Sequence, residues 1–178
     1  MNRVTDKLLK NAARRGNSGR VRRALLNVSD ANVCGKDGWT PLMFAAYNGH
    51  LETARLLIDN GAMPDSRSSD GGSALYWAAS QGHSDIVLLL CKRGADVNVV
   101  RTCKWTPLMA AIYNGHEGLA ELLVQAGARA DYEPYTGMSM FRWAVEHGRY
   151  HLADFLRRHK HSRGANRRSS TARFQLSK

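Results

Sequence analysis

The sequence predicts an all-α solenoid, because one set of residue types recurs at a fixed step of 33 along most of the chain. A glycine series keeps this step without a slip, and an alanine series and a leucine series precede it in the same register. The three series are Gly16, Gly49, Gly82, Gly115 and Gly148; Ala12, Ala45, Ala78, Ala111 and Ala144; and Leu9, Leu42, Leu75, Leu108 and Phe141. Since one such unit cannot bury its apolar face alone, the copies stack. Solenoids present long surfaces and seldom enclose a reaction, so the repeat favours binding over catalysis.

Each unit is predicted to contain two helices. The first begins after a hydroxyl residue that can accept a hydrogen bond from an unpaired backbone N–H, at Thr40, Ser73, Thr106 and Ser139. Paired alanines let the helices approach closely, and the glycine after them supplies the left-handed backbone that ends the helix. A leucine-rich segment returns as the second helix. In three units a Gly-Ala pair then begins an extended hairpin, at Gly61, Gly94 and Gly127.

The unit resembles the ankyrin repeat. Trp-Thr-Pro-Leu-Met opens two units, at Trp39 and Trp105, and Gly-His follows the first helix in three units. The resemblance covers about residues 5 to 160. It implies a helix-turn-helix solenoid with short β-hairpin connections. Lys104 departs from the pattern, because it fills a hairpin position that is otherwise glycine, and a side chain there is strained if φ is positive.

Three segments are predicted along the chain. Residues 1–36 form an irregular N-terminal capping repeat, since Leu25 and Leu26 lie two residues later than the period predicts. Residues 37–160 hold four ankyrin-type repeats, and residues 161–178 are a basic C-terminal tail. Because the end of the chain from Arg157 has few apolar residues and no acid, the tail is expected to be disordered when free.

Charge is divided unevenly along the chain, whose net charge is +11. Residues 1–36 carry nine Lys or Arg against two acids, and residues 157–178 carry eight against none. Residues 37–156 are mildly acidic. The basic ends therefore favour an acidic partner. Without a membrane-length apolar run, a secretory signal or a disulfide framework, we expect an intracellular and mainly cytoplasmic protein, with nuclear and cytoskeletal locations as alternatives.

Catalysis is not indicated. The sequence has no nucleophile elbow, phosphate-binding glycine loop or paired-carboxylate motif, so we expect no enzyme and no cofactor. His50, His83 and His116 recur at the repeat step and are interpreted as structural hydrogen-bonding residues. His147 and His151 have the spacing of a helical metal pair, but Gly148 between them marks the turn between helices, so no metal site is predicted.

The resemblance also implies where a protein partner would bind. In ankyrin-like arrays the hairpin tips and the exposed side of the first helices form a concave binding face. On this face one pair of aromatic residues occurs twice, as Trp39 with Tyr47 and as Trp105 with Tyr113. Each Trp could instead pack on its neighbouring hairpin. Phe44, Trp77 and Trp143 are assigned to core packing. The candidate protein-binding residues are Lys36, Asp37, Trp39, Tyr47, Asn48, Ser69, Asp70, Ser80, Gln81, Thr102, Trp105, Tyr113, Asn114, Tyr135, Met138, Glu146 and His147.

The basic ends supply a second set of candidates. An acidic surface of RNA, DNA or a protein such as tubulin would meet Arg14, Arg15, Arg20, Arg22, Arg23, Arg157, Arg158, Lys160, Arg163, Arg167, Arg168 and Arg173. The leading hypothesis is a non-catalytic interaction module, either an adaptor or a built-in subunit of a larger assembly. The alternatives are a nucleic-acid-associated component of a ribonucleoprotein and a microtubule attachment factor. No membrane or small-molecule partner is expected.

Overall fold

The described part of the chain is an array of five helix pairs. The computed structural model describes residues 3–28, 30–134 and 139–159, and these contain ten α-helices and no β-strand. The first helices of successive pairs stack on one another along one side, and the second helices form the other side. In chain order the helices are α1 (Arg3–Arg14), α2 (Ser18–Leu25), α3 (Pro41–Tyr47), α4 (Leu51–Asp59), α5 (Ala74–Gln81), α6 (Ser84–Lys92), α7 (Pro107–Tyr113), α8 (Glu117–Gln125), α9 (Met140–Glu146) and α10 (Tyr150–Arg158).

The predicted helix starts are confirmed. Thr40 Oγ1 accepts a hydrogen bond from Met43 N at 3.3 Å, and Ser73 caps α5 in the same way through Tyr76 N at 3.2 Å. Thr106 and Ser139 repeat this bond at α7 and α9. These bonds satisfy N–H groups that have no partner within the helix. The caps fix where each first helix begins, and the alanines behind them are buried between helices.

The glycines of the 33-residue series allow one repeat to approach the next. Gly49 has φ +76°, and a β-carbon there would lie 2.6 Å from the His83 ring of the following repeat. That ring donates from Nε2 to the carbonyl oxygen of Tyr47 at 3.1 Å. His50 and His116 make the equivalent bond one repeat earlier and one repeat later. The structural interpretation of the three histidines is therefore supported by their hydrogen bonds.

The connecting loops turn back on themselves, although no strand is assigned in the described residues. Ser68 N donates to Gly72 O at 2.9 Å in one loop, and Arg101 N donates to Trp105 O at 3.0 Å in the next. These few bonds close a turn without building a ladder. Lys104 has φ +64°, the one positive value for a non-glycine residue among those described, as the glycine pattern at this position predicts.

The first helix pair keeps the repeat register more closely than the leucine positions suggested. Val21 and Ala24 are the buried residues of α2, whereas Leu25 is half-buried and Leu26 is exposed. The apparent two-residue shift is therefore wrong as a description of the helix, because Ala24 occupies the position that Leu57 fills one step later. The division of the chain at residues 36 and 160 stays a prediction, and residues 160–178 lie outside the described part. No helix among the described residues has the length and apolar character needed to cross a bilayer.

Candidate functional site

Rings from adjacent repeats pack together in two clusters along the first helices. We call Trp39, Tyr47, Trp77, Trp105, Tyr113 and Trp143 the aromatic row. Tyr47 and Tyr113 stand in the last turns of α3 and α7, and the two residues are 39% and 58% exposed. Ser80 and Glu146 occupy the corresponding positions of α5 and α9, so the tyrosines alternate with polar residues along the array.

The first half of the aromatic row joins two repeats. The Trp39 ring lies 5.0 Å from that of Phe44 and 5.7 Å from that of Tyr47. It also lies 4.6 Å from Trp77 of the next repeat, and Tyr47 lies 6.0 Å from the same ring. Trp39 is consequently half-buried, which corrects the expectation that it stands exposed at the hairpin end. The cause is Trp77, which covers one side of it.

The second half of the row repeats the contacts of the tyrosine with two tryptophans. The Tyr113 ring lies 5.1 Å from Trp105 of its own repeat and 6.0 Å from Trp143 of the next. The Trp143 ring in turn stacks on His147 at 4.1 Å. Trp105 is half-buried like Trp39, again contrary to the exposed position that the sequence suggested. Each tyrosine thus lies between two tryptophans from adjacent repeats.

Sequence reasoning missed the part that Trp77 and Trp143 take in this surface. Both were assigned to the core, yet both are half-buried and contact the predicted tyrosines. A signal was present, since each follows a predicted tryptophan by one repeat plus five residues. Gly72 leaves room for the Trp77 ring in this position, because a β-carbon at residue 72 would lie 2.8 Å from the Trp77 indole nitrogen.

A single arginine connects the first half of the row to the loops, and the sequence did not single it out. The Arg101 guanidinium lies 4.8 Å above the rings of Tyr76 and Trp77, and it donates to the Tyr76 hydroxyl at 3.1 Å. It also pairs with Asp70. Burial opposes ionisation of Asp70, but hydrogen bonds from Ser68, the Gly72 backbone and Arg101 outweigh it, so the pKa of Asp70 is lowered.

Most of the predicted loop residues are used to join neighbouring loops. The Asp37 carbonyl accepts from both the backbone N–H and the hydroxyl of Ser69, each at 2.9 Å. The Asp70 carbonyl accepts in the same way from Thr102, at 3.0 Å and 3.2 Å. Lys36 is exposed beside them. These loops therefore form a row of linked turns that holds the exposed edge in place.

The polar candidates at the ends of the first helices act as helix caps. Asn48 Nδ2 donates to Phe44 O at 2.8 Å, and Asn114 Nδ2 donates to Ala110 O at 2.9 Å. His147 Nδ1 bonds Trp143 O at 2.9 Å in the same place of α9. Two further candidates bond side chains on their own helix, Gln81 to Ser80 and Glu146 to Arg142. Tyr135 and Met138 lie outside the described residues.

The two basic ends differ in how their arginines are paired. Every arginine from Arg55 to Arg158 has a nitrogen within 4.0 Å of a carboxylate oxygen. Arg157 and Arg158 both pair with Asp154, and these contacts lower the pKa of that carboxyl. The arginines of the N-terminal basic end differ, because no carboxylate oxygen of the described residues lies within 4.0 Å of their nitrogens. They are Arg14, Arg15, Arg20, Arg22 and Arg23. Lys160, Arg163, Arg167, Arg168 and Arg173 lie outside the described residues.

Comparison with known proteins agrees with the repeat architecture. A family model described as "Ankyrin repeats (3 copies)" matches residues 9–101 and, a second time, residues 94–167. The two matches together span most of the chain, including all four of its tryptophans. No curated protein matches the sequence.

Proposed function

Because the chain belongs to the ankyrin repeat family, whose repeats are general protein–protein interaction modules, we propose that it binds a protein partner along the aromatic row. It does so without catalysing a reaction, as an adaptor or as a built-in subunit of a larger assembly. The observation that carries the proposal is the repeated Trp-Tyr-Trp contact, in which Tyr47 and Tyr113 are each packed between two repeats while staying exposed.

The physical case for binding rests on rigidity and exposure together. Tyr and Trp are enriched among the residues whose truncation most weakens protein interfaces, often by about 2 kcal/mol or more. Tyr113 is held by rings at 5.1 Å and 6.0 Å, so it loses little conformational freedom when a partner arrives. The linked turns formed by Asp37, Ser69, Asp70 and Thr102 fix the adjacent edge in the same way. A pre-organised aromatic surface of this kind suits a protein better than a small charged ligand.

The test replaces both tyrosines with serine. Ser80 stands at the same position of α5, so Tyr47→Ser with Tyr113→Ser removes the rings at sites where this helix end already tolerates serine. Tyr150→Ser is the matched control, since Tyr150 is exposed at the start of α10 and contacts no ring of the row among the described residues. Partners are recovered from native cell extract treated with nuclease and are quantified by mass spectrometry.

A protein that is captured by the natural chain and by the control, and lost with the double variant, is the expected result. Retention of the same protein by the double variant would contradict binding through the aromatic row. Circular dichroism of each variant checks that the helices are intact. The intracellular location stays a prediction.

The arginines of the first helix pair, which contact no carboxylate among the described residues, favour one second candidate, a nucleic-acid-associated component of a ribonucleoprotein. Phosphates would then neutralise Arg14, Arg15, Arg20, Arg22 and Arg23, and affinity would fall steeply as salt is raised. A nuclease-sensitive set of partners, unaffected by the tyrosine variants, would favour this alternative. Capture of a microtubule partner would instead persist after nuclease treatment and would depend on the same arginines.

A further inference from the structure

A groove of about 640 Å³ runs along the first helix pair. All of its lining residues belong to α1, α2 and the segments next to them, so it lies on the side of this pair that faces away from the second repeat. The apolar part is formed by Leu8, Ala12 and Ala24, and the charged rim by Arg15, Arg20 and Arg23. Leu8 is 58% exposed, although the same position is buried in the next three repeats.

Two residues explain why a groove exists here. Ala24 occupies a position that is a buried leucine in the other four repeats, at Leu57, Leu90, Leu123 and Leu156. The shorter side chain leaves space between α1 and α2. Arg20 stands where the later repeats bury Thr53, Ile86, Leu119 and Leu152. Replacement of these contact residues by alanine and arginine turns a repeat-stacking surface into an apolar floor with a cationic rim.

The charges determine which occupant fits. The three rim arginines have no carboxylate within ion-pairing distance in the part of the chain that is described, and residues 1–36 carry seven net positive charges. A second copy of this chain would bring the same charge against itself. The phosphates of a nucleic acid would pair with the arginines, but they would leave the apolar part of the groove around Leu8 in contact with water.

The geometry points to an acidic, amphipathic segment of a protein as the ligand of this groove. Its apolar side chains lie on Leu8, Ala12 and Ala24, and its carboxylates pair with Arg15, Arg20 and Arg23. Arginine forms strong charge-assisted hydrogen bonds with carboxylates, and the surrounding apolar surface reduces their solvation. This inference rests on the proposed function, because both make the chain a protein-binding module, but the groove lies at the first repeat and does not include the aromatic row.

The experiment uses a displayed library of random 16-residue peptides, with the full-length chain as bait and an enriched peptide as the probe for fluorescence anisotropy. Ala24→Leu fills the groove with the residue of the other four repeats. Arg20→Ser with Arg23→Ser removes two rim charges. Arg14→Ser with Arg22→Ser is the matched control, because both arginines are exposed, unpaired with any described carboxylate and absent from the groove lining.

Enriched peptides are expected to combine Asp or Glu with apolar residues spaced three or four apart. Ala24→Leu and the rim double variant should each weaken binding by about tenfold or more, and the control double variant by less than about threefold. Tyr47→Ser with Tyr113→Ser should leave peptide binding unchanged. The proposal that the groove binds a peptide and the proposal that the aromatic row binds a partner can therefore fail independently.

Four outcomes would overturn the inference. These are no enrichment at all, enrichment of peptides that lack acidic residues, equal loss in the control double variant, and full binding to Ala24→Leu. Self-association of the chain that Ala24→Leu abolishes, measured by sedimentation, would assign the groove to a second copy instead. Tighter binding of an RNA oligonucleotide than of any acidic peptide, unaffected by Ala24→Leu, would assign the arginines to phosphate.

Discussion

Two buried threonines should respond in opposite directions to the same substitution. Thr53, in α4, is 1% exposed, and its hydroxyl has no hydrogen-bond partner among the described residues. Thr40 is 4% exposed, and its hydroxyl caps α3 by accepting from Met43 N. Thr→Val keeps the shape of the side chain and replaces the hydroxyl with a methyl group. Each variant therefore isolates what one buried hydroxyl contributes.

The expected magnitudes follow from these surroundings. A buried hydroxyl without a partner costs about 1–3 kcal/mol, so Thr53→Val should raise the free energy of unfolding by about 1–2 kcal/mol. The later repeats already carry Ile86, Leu119 and Leu152 at this position, all buried. Thr40→Val removes a helix cap and should lower the free energy of unfolding by about 1 kcal/mol.

The assay is urea unfolding followed by circular dichroism at 222 nm, with the midpoint and slope compared among the natural chain and both variants. A gap of about 2–3 kcal/mol between the variants is predicted, with the natural chain between them. A loss of stability in Thr53→Val would contradict the prediction, because removal of an unpartnered buried hydroxyl cannot destabilise the fold in this way. Equal effects at the two positions would refute it as well.

Three further perturbations test the repeat contacts. Lys104→Gly should stabilise the chain by about 0.5–1 kcal/mol in the same assay, because glycine adopts positive φ without the steric cost of a side chain. Gly49→Ala should destabilise more than Gly148→Ala, since both have positive φ but only the first alanine would meet the His83 ring. The pKa of Asp70 is lowered in the folded chain. The ionised carboxylate therefore adds to the free energy of unfolding above about pH 4, and this stabilisation is lost as the pH falls through the pKa of the folded chain. Asp70→Asn should accordingly lose less stability than the natural chain between about pH 5 and about pH 2, measured by thermal unfolding.

Local chemistry made much of the fold predictable. The caps at Thr40 and Thr106, the turn glycines and the positive φ of Lys104 depend on residues close in sequence, so each could be derived from a short motif. The strict period also predicted that the three Gly-His histidines are structural hydrogen-bonding residues, although it did not identify their acceptors in the preceding repeat. The hairpin connections were predicted in outline, but their bonds are too few to give a strand in the described residues.

The candidate site was less accessible, because its contacts join residues a whole repeat apart. The period placed Tyr47 on the exposed side of α3, but it did not show that Trp77 covers Trp39. The positions of Arg101 over two rings and of Asp154 beside Arg157 depend on side-chain conformations that no repeat spacing determines. The groove at Ala24 was missed because Leu25 and Leu26 suggested a two-residue shift, and this hid that an alanine stands where the other four repeats have leucine.

The central claim, that a protein partner binds along the aromatic row, can be tested directly because all four tryptophans of the chain belong to that row. Labelling the chain with 5-fluorotryptophan gives one ¹⁹F resonance each for Trp39, Trp77, Trp105 and Trp143, and leaves an unlabelled partner invisible. If the partner binds along the aromatic row, saturating amounts of the purified partner shift or broaden these resonances, and Tyr47→Ser with Tyr113→Ser abolishes the change. A partner shown by sedimentation to be fully bound, with all four resonances unmoved, would contradict it.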